Sequence, residues 1–399
     1  MAYDITKEIY DELKRADELC GKSVLNWLAS LYDPKSGGFY YSLSARDNEG
    51  FLPDLESTYQ AIYLLQLGGM YETGAVPEEI MPREIQDGLA RFAREMQDDS
   101  DGYFYHPQWG KKVSSSRQGR DLNWAKGLVG KFGGGRYKYL LPEERIKKSA
   151  ESTAKKESAA PGVAEHFSSR ERFIAYLDSL DFEAGGWASG NLLNAQGAQI
   201  HAAGFSDLAR EYVASKQNKE TGLWGKGLNY MATNAAMKLS SRFSSDHPYP
   251  NFDKMLDSVI YIIKNEGIPI YITDVWNPLV TINQAKGTYG GLAGMSDELR
   301  KKLFDSLPEI IRISVDNSLL FKKSDGAFGY NRLQGQKTSQ GAIVSTGANE
   351  SDVNATLAAC TSMRSSLWGL IEQKAPPIYK DDAQYFMNML TERRKEYEK

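Results

Sequence analysis

One pattern recurs five times along the chain: Asp or Asn, three residues, Gly, any residue, then Phe or Trp. The copies lie at 33–39 (DPKSGGF), 98–104 (DDSDGYF), 181–187 (DFEAGGW), 218–224 (NKETGLW) and 322–328 (KKSDGAF), the last opening on Lys instead. A motif that returns in this way means that one structural unit is repeated, which constrains the fold before any single residue does. Within the motif, Asp or Asn turns the chain, Gly supplies a positive φ, and the aromatic ring returns to the core.

Each copy lies between two helical patterns. The leading ones fall at 5–32, 83–97, 169–180, 206–216 and 297–320, with Pro308 a candidate break in the last. The following ones begin near Leu55 (LESTYQAIYLLQL) and cover about 121–129, 192–203, 229–239 and 352–371. A further pair is read at 252–265 and 278–286, where IPIYITDVW replaces the motif. Strand-like alternation is almost absent. Leading helices carry ordinary charged faces, as in REIQDGLARFAREMQ, whereas following helices carry small residues and amides, as in NAQGAQIHAA and ATNAAMK. A helix of the second kind is surrounded by protein. The expected architecture is all-α: an (α/α)6 toroid of six helical hairpins. The following helices form its inner ring and the leading helices its outer ring, in a single domain over residues 1–399.

This layout resembles the α/α-toroid superfamily, which includes six-hairpin glycosidases, toroidal polysaccharide lyases, and the terpene cyclase and prenyltransferase folds. The Gly-x-aromatic motif is similar to the QW-type repeats of the cyclases. The resemblance spans nearly the whole chain and is one of architecture.

Two segments break the pattern. Residues 131–165 hold GKFGGGRYKY and a Lys/Ser/Ala-rich run, read as an exposed, mobile insertion. Residues 331–349 (NRLQGQKTSQGAIVSTGAN) are polar and glycine-bearing and lead into an inner helix. That loop is read either as a lid over the central cavity or as an ordinary surface loop.

Bulk properties remove whole classes of function. A net charge of −4 gives no basic footprint for nucleic acid. The two cysteines, Cys20 and Cys360, form no CxxC and histidines number four, which argues against a metal site. The start, MAYDITKEIYDELKRADE, lacks the apolar run of a signal peptide, and no stretch is apolar for the roughly 18 residues of a membrane span. The expectation is a cytoplasmic protein with no membrane or nucleic-acid partner and no cofactor.

In a toroid, residues at the starts of the inner helices face one mouth of the central cavity. Acids crowd there in units 1, 2 and 6: Asp54 and Glu56, Asp121 beside Arg117 and Arg120, and Glu350 with Asp352. Units 3, 4 and 5 offer amides instead: Asn191 and Asn194, Asn229 and Asn234, Asn277 and Asn283. Carboxylates on one side and amides on the other suit a general acid and base acting on a hydroxyl-rich substrate. Asp54, Asp121 and Asp352 equally suit helix N-caps, and Asn234 a structural amide tying inner helices together.

The leading expectation is a carbohydrate-active enzyme, a glycoside hydrolase acting on oligosaccharides. Asp54, Glu56, Asp121 and Asp352 are its candidate acids and bases, and Glu350 and Asn194 bind substrate. Trp187, Trp224 and Trp276 would stack on sugar rings, and Arg117, Arg120 or Arg332 would hold a uronate carboxylate. The chain length, the N-terminus and GGFYY are similar to cytoplasmic unsaturated-glucuronyl hydrolases. The alternative that the resemblance implies is a polysaccharide lyase, with Asn191, His201, Tyr230 and Arg117 as its set. A third reading is an isoprenoid-handling or non-catalytic toroid, against which the polar helix starts argue. The runs that mark cyclases, zinc prenyltransferases, P-loops and nucleophile elbows are missing.

Overall fold

The computed structural model of the protein describes residues 5–74, 76–151, 163–184 and 186–397, and among them the chain is mostly helical. In chain order the α-helices are α1 (Lys7–Leu19), α2 (Lys22–Ser30), α3 (Leu43–Arg46), α4 (Leu55–Leu67), α5 (Arg83–Glu95), α6 (Ser115–Phe132), α7 (Pro142–Glu151), α8 (Arg170–Asp178) and α9 (Gly186–Ala195). They continue as α10 (Gly197–Ala202), α11 (Ser206–Ser215), α12 (Tyr230–Ser240), α13 (Phe252–Asn265), α14 (Ile272–Thr288), α15 (Asp297–Leu319), α16 (Val353–Cys360), α17 (Leu367–Leu370) and α18 (Ala383–Tyr397). Between α16 and α17 lies a π-helical turn, Thr361–Ser366.

The recurring motif makes the same turn in four places. Gly37, Gly102, Gly222 and Gly326 all have positive φ. In three copies the Gly amide donates to the carbonyl of the leading residue: Gly37 to Asp33 at 2.9 Å, Gly102 to Asp98 at 3.0 Å and Gly222 to Asn218 at 2.8 Å. The leading side chain closes the turn by accepting a backbone N–H, as Asp33 does from Ser36 and Asp98 from Ser100. Phe39, Phe104, Trp224 and Phe328 then plug into the core, each at most 1 % exposed. The third copy departs from the others. Its Gly185 lies outside the described residues, Phe182 takes the buried place, and Trp187 is 38 % exposed in the first turn of α9.

At one of these turns the demand for Gly is also steric. A Cβ on Gly222 would lie 2.5 Å from the Met255 nitrogen, in the first turn of α13, at a φ of +65°. Gly204 has a similar φ of +75° with open space around it. Gly204→Ala is therefore expected to cost roughly 1 kcal/mol of strain. Gly222→Ala, which must also displace α13, should cost roughly 2–3 kcal/mol. Denaturant midpoints of the two variants check the difference, and equal losses would mean that α13 gives way freely.

Among the described residues, six helices contact one another in a closed cycle: α4 with α6, α6 with α9, α9 with α12, α12 with α14, α14 with α16, and α16 with α4. These are the small, amide-rich helices. Buried positions lie all around α4, from Leu55 through Glu56, Ser57 and Thr58 to Gln60 and Ala61, as expected of a helix enclosed by protein. Amphipathic partners pack outside them: α5 on α6, α13 on α14, and α15 on both α13 and α1. Side chains start the cycle helices. Asp54 accepts from Ser57 N at 2.9 Å, Ser114 from Arg117 N at 3.1 Å, Asn229 from Ala232 N at 2.9 Å and Asp352 from Ala355 N at 2.7 Å. Each such cap contributes about 1 kcal/mol.

Several extents differ from those read in the sequence. The leading helix expected over 5–32 is two helices parted at Gly21, and α15 runs unbroken past Pro308. The helix expected from 121 starts six residues earlier, at Ser115, so Asp121 sits inside α6 rather than at its mouth. In the segment read as a mobile insertion, residues 152–162 lie outside the described residues. The part before them forms α7, which packs on α10 and whose Ile146 is buried.

The loop at 331–349 is tied down. Thr338–Ser339 pairs antiparallel with Ala342–Ile343 through a tight turn with positive φ at Gln340 and Gly341. Gln340 accepts from Ser114 at 2.8 Å and Ser116 at 2.9 Å, Trp109 donates to the Ile343 carbonyl at 3.1 Å, and Asn354 donates to Gln336 at 3.1 Å. The loop thus bridges the starts of α6 and α16. Among the described residues no helix is long and apolar enough to cross a membrane.

Candidate functional site

Arg117 is fully enclosed, with no exposed surface. Three acids converge on it. Glu56 Oε2 lies 2.7 Å from Nη1, Asp121 Oδ1 3.0 Å from Nε, and Asp54 Oδ1 3.5 Å from Nη2. The Trp109 and Trp124 rings flank the guanidinium with centroids at 4.6 Å and 5.4 Å. One positive charge among three buried carboxylates leaves an excess of negative charge if all are ionised. Burial accordingly raises Asp54 and Glu56 above the usual carboxylate range and pushes Asp121 up to about 7, against the pull of Arg117. The cluster therefore holds protons to higher pH than ordinary carboxylates do. The three acids in turn raise Arg117, which stays charged.

Asp352 stands apart from that cluster. Its oxygens accept from Ala355 N at 2.7 Å and Tyr330 N at 3.0 Å, and burial pushes it up to about 8. Glu350 accepts from Ser42 Oγ and Ser44 N, both at 2.8 Å. Each of these acids is engaged in holding helix starts and loops together.

Inside the cycle of six helices lies a cavity of about 680 Å³, to which all six contribute side chains. Gln60, Tyr59 and Tyr63 come from α4, Arg120, Asn123 and Trp124 from α6, and Trp187 and Asn194 from α9. Asn234 and Lys238 come from α12, Trp276, Asn277 and Asn283 from α14, and Asn354 from α16. Amides and aromatic rings dominate. Arg120 and Lys238 carry the only charges among the described lining residues, and no Asp, Glu or His lies among them.

The two cations are set differently. Arg120 Nη2 donates to Asn191 Oδ1 at 3.2 Å, and Nη1 lies 4.0 Å from Glu56 Oε1 just beneath the cavity surface. Burial lowers the Arg120 pKa, but a guanidinium keeps its charge. Among the described residues, no carboxylate lies within ion-pair reach of Lys238. Burial first, then the positive charge of Arg120, pushes it down to about 7, so much of it is neutral amine at physiological pH. Its Nζ stands 5.9 Å from the centre of the Trp276 ring.

The expected site residues divide sharply. Arg120, Asn194, Trp187 and Trp276 line the cavity. Asp54, Glu56, Asp121 and Arg117 come together, but around one another and outside the lining. Asp352 and Glu350 are likewise outside it. The expectation of two catalytic carboxylates facing the cavity is therefore not met, because helix capping and Arg117 take their oxygens. Trp224 is fully buried, donates to the Val213 carbonyl at 2.9 Å and offers no ring to a ligand. Arg332 is also absent from the lining; its carbonyl accepts from Lys323 at 2.8 Å.

The set Asn191, His201, Tyr230 and Arg117 does not assemble either. His201 is exposed on α10, and Tyr230 donates to the Gly267 carbonyl at 3.0 Å. Asn234 does not tie the described helices together: its Oδ1 has no partner among the described residues, and the residue lines the cavity. His106 is buried and pushed down to about 4, so it is neutral. Its Nε2–H donates to the Pro53 carbonyl at 2.9 Å, while Nδ1 accepts from Gln108 N.

Sequence reasoning passed over Lys238, Trp124 and Tyr330. A signal existed for the first: Lys238 is the one charged residue in NYMATNAAMKL, and an isolated charge on an otherwise enclosed helix needs a purpose. Among the described residues, no group of three or more His, Cys, Asp or Glu could hold a metal ion. No family model, no curated protein and no solved structure matches the chain.

Proposed function

We propose that the six-helix cycle is the inner ring of an (α/α)6 toroid and that its cavity binds an acidic, hydroxyl-rich ligand. The ligand class is a uronate-containing oligosaccharide, and the reaction is cleavage by β-elimination. One observation carries this reading: the described lining pairs a permanent cation with an amine of near-neutral pKa and contains no carboxylate. The Trp124, Trp187 and Trp276 rings suit the C–H faces of sugars, and the amides suit their hydroxyls.

The chemistry follows from those residues. Arg120, oriented by Asn191, pairs with the uronate carboxylate and stabilises the charge that builds there as the neighbouring C–H bond breaks. The neutral Lys238 amine takes that proton. The electron pair forms a C=C bond and expels the glycosidic oxygen, which takes a proton from the phenol of Tyr330. Burial keeps that phenol protonated. No water is consumed.

A hydrolase reading retains one favourable observation. Glu56, held in its acid-favouring state by burial, lies behind Gln60 and Ser339, with Gln60 Nε2 3.4 Å from its Oε1. It lacks a second carboxylate across the cavity for the paired mechanism. The products separate the readings. Elimination from polyglucuronate or polygalacturonate gives an ultraviolet-absorbing conjugated uronate with no mass gain. Hydrolysis adds one water per cut and gives no such absorbance. Arg120→Gln is expected to raise KM for the acidic oligosaccharide roughly 30-fold or more. Unchanged KM, or water uptake on cleavage, would reject the elimination reading.

A further inference from the structure

We infer that Asn277 is a specificity-determining residue of the cavity, reading a pair of adjacent hydroxyls on the bound sugar ring. This rests on the reading that the cavity takes a carbohydrate and adds which groups on it are recognised.

Asn277 is 1 % exposed and lines the cavity, yet neither its Nδ2 nor its Oδ1 has a partner among the described residues. Buried amides are ordinarily bonded on both atoms. Here the backbone is fixed while the side chain is left open. Thr281 Oγ1 donates to the Asn277 carbonyl at 2.8 Å and contacts the Thr233 carbonyl of α12 at 3.2 Å, locking α14 against its neighbour at this level. The preceding residue, Trp276, also presents a buried Nε1 without a partner among the described residues, and Asn234 of α12 an Oδ1. One turn beyond Asn234 on α12 stands Lys238. Its Nζ stands 5.9 Å from the centre of the Trp276 ring, so the proposed base and these unpaired edges line the same cavity.

The chemistry of that edge selects the ligand. A primary amide offers one acceptor and one donor side by side. Two hydroxyls on neighbouring ring carbons match it: one donates to Oδ1 while the other accepts from Nδ2. A lone hydroxyl leaves one atom of the amide unpaired and buried, which weakens binding by about tenfold to a hundredfold.

The test uses Asn277→Leu, close in size and without polar atoms, with glucuronate and its analogues each lacking one ring hydroxyl as probes in calorimetric titration. Wild type is expected to bind glucuronate and to lose about tenfold or more with the analogue whose missing hydroxyl belongs to the recognised pair. The variant should bind glucuronate about tenfold to a hundredfold more weakly and no longer distinguish that analogue. Its Tm should equal or exceed that of wild type, since it removes two buried polar atoms that no protein group satisfies. A lower Tm would assign the amide a structural role and overturn the inference. So would glucuronate binding that is indifferent to each missing hydroxyl in the wild type, or unaltered in the variant, with the acidic-sugar reading left standing. Absence of binding to any of these acids by wild type would remove both readings together.

Discussion

Arg117→Met is expected to destabilise the protein by about 3–5 kcal/mol, the loss that follows when one partner of a buried ion pair is removed and charge stays behind. This corresponds to a Tm lower by on the order of 10 °C. The methionine fills much of the space between Trp109 and Trp124, so the loss is electrostatic rather than a cavity effect. The pH dependence identifies it. Asp54, Glu56 and Asp121 are all raised in the fold relative to their unfolded values, so the folded chain holds protons that the unfolded chain gives up. Stability from such groups is fully present below the unfolded pKa and is lost as pH rises through the folded one. The variant should therefore recover part of its deficit at pH values well below 7 and be weakest above it. Asp352, raised to about 8 by burial, adds a decline of the same sign to both proteins. A deficit that is flat with pH would show that Arg117 matters for its packing alone.

Lys238→Met is expected to lower kcat roughly 10²–10⁴-fold, the usual contribution of a positioned general base. For wild type, kcat/KM should rise through pH of about 7 as the ammonium releases its proton, then level off. Folding carries its own signature. The Lys238 pKa is depressed in the fold, so between about 7 and the unfolded value the unfolded chain binds a proton that the folded chain does not. That group makes wild type more stable as pH rises across this window, and the rise should vanish in the variant. Activity that falls with increasing pH near 7, or a variant that retains turnover, would sink the assignment of the base. Because the amine is only partly exposed and its charge is disfavoured in the fold, loss of turnover should come without loss of Tm.

The repeated turns were legible because everything they require is local. An Asx residue, a positive-φ Gly and a ring fit within seven residues, and four of the five rings go where the pattern sends them. The third copy misled because DFEAGGW holds two aromatics, and only packing against Tyr212 decides that Phe182 is the one to be buried. The meeting of acids from units 1 and 2 was also readable, from order along the chain, whereas Asp352 and Glu350 of unit 6 stay apart from it. What occupies the centre of that meeting was not readable. Glu56 and Arg117 are 61 positions apart, and nothing in either segment states that the guanidinium points at the carboxylates rather than at a ligand. Asn277 and Lys238 were opaque for a related reason. On helices whose every face meets protein, the turn-by-turn pattern that separates inside from outside no longer applies, so only the assembled helices reveal which polar group faces the cavity.

The closure of the six-helix cycle has a consequence for how the protein is made. The backbone of Tyr41 accepts from Val353 N at 3.0 Å, Ser42 donates to Glu350 across 308 positions, and α4 packs against α16. At translation speeds of roughly 5–20 residues per second, the earliest helices wait roughly 15–60 s for these partners to leave the ribosome. During that interval α4 presents apolar side chains and the Asp54 and Glu56 carboxylates to its surroundings. Contacts between neighbouring hairpins can form as they emerge, but the last joint cannot. The nascent chain is an open arc with two adhesive ends, and a second arc on the same message offers a matching pair. Closure of the chain on itself then competes with pairing between neighbouring chains.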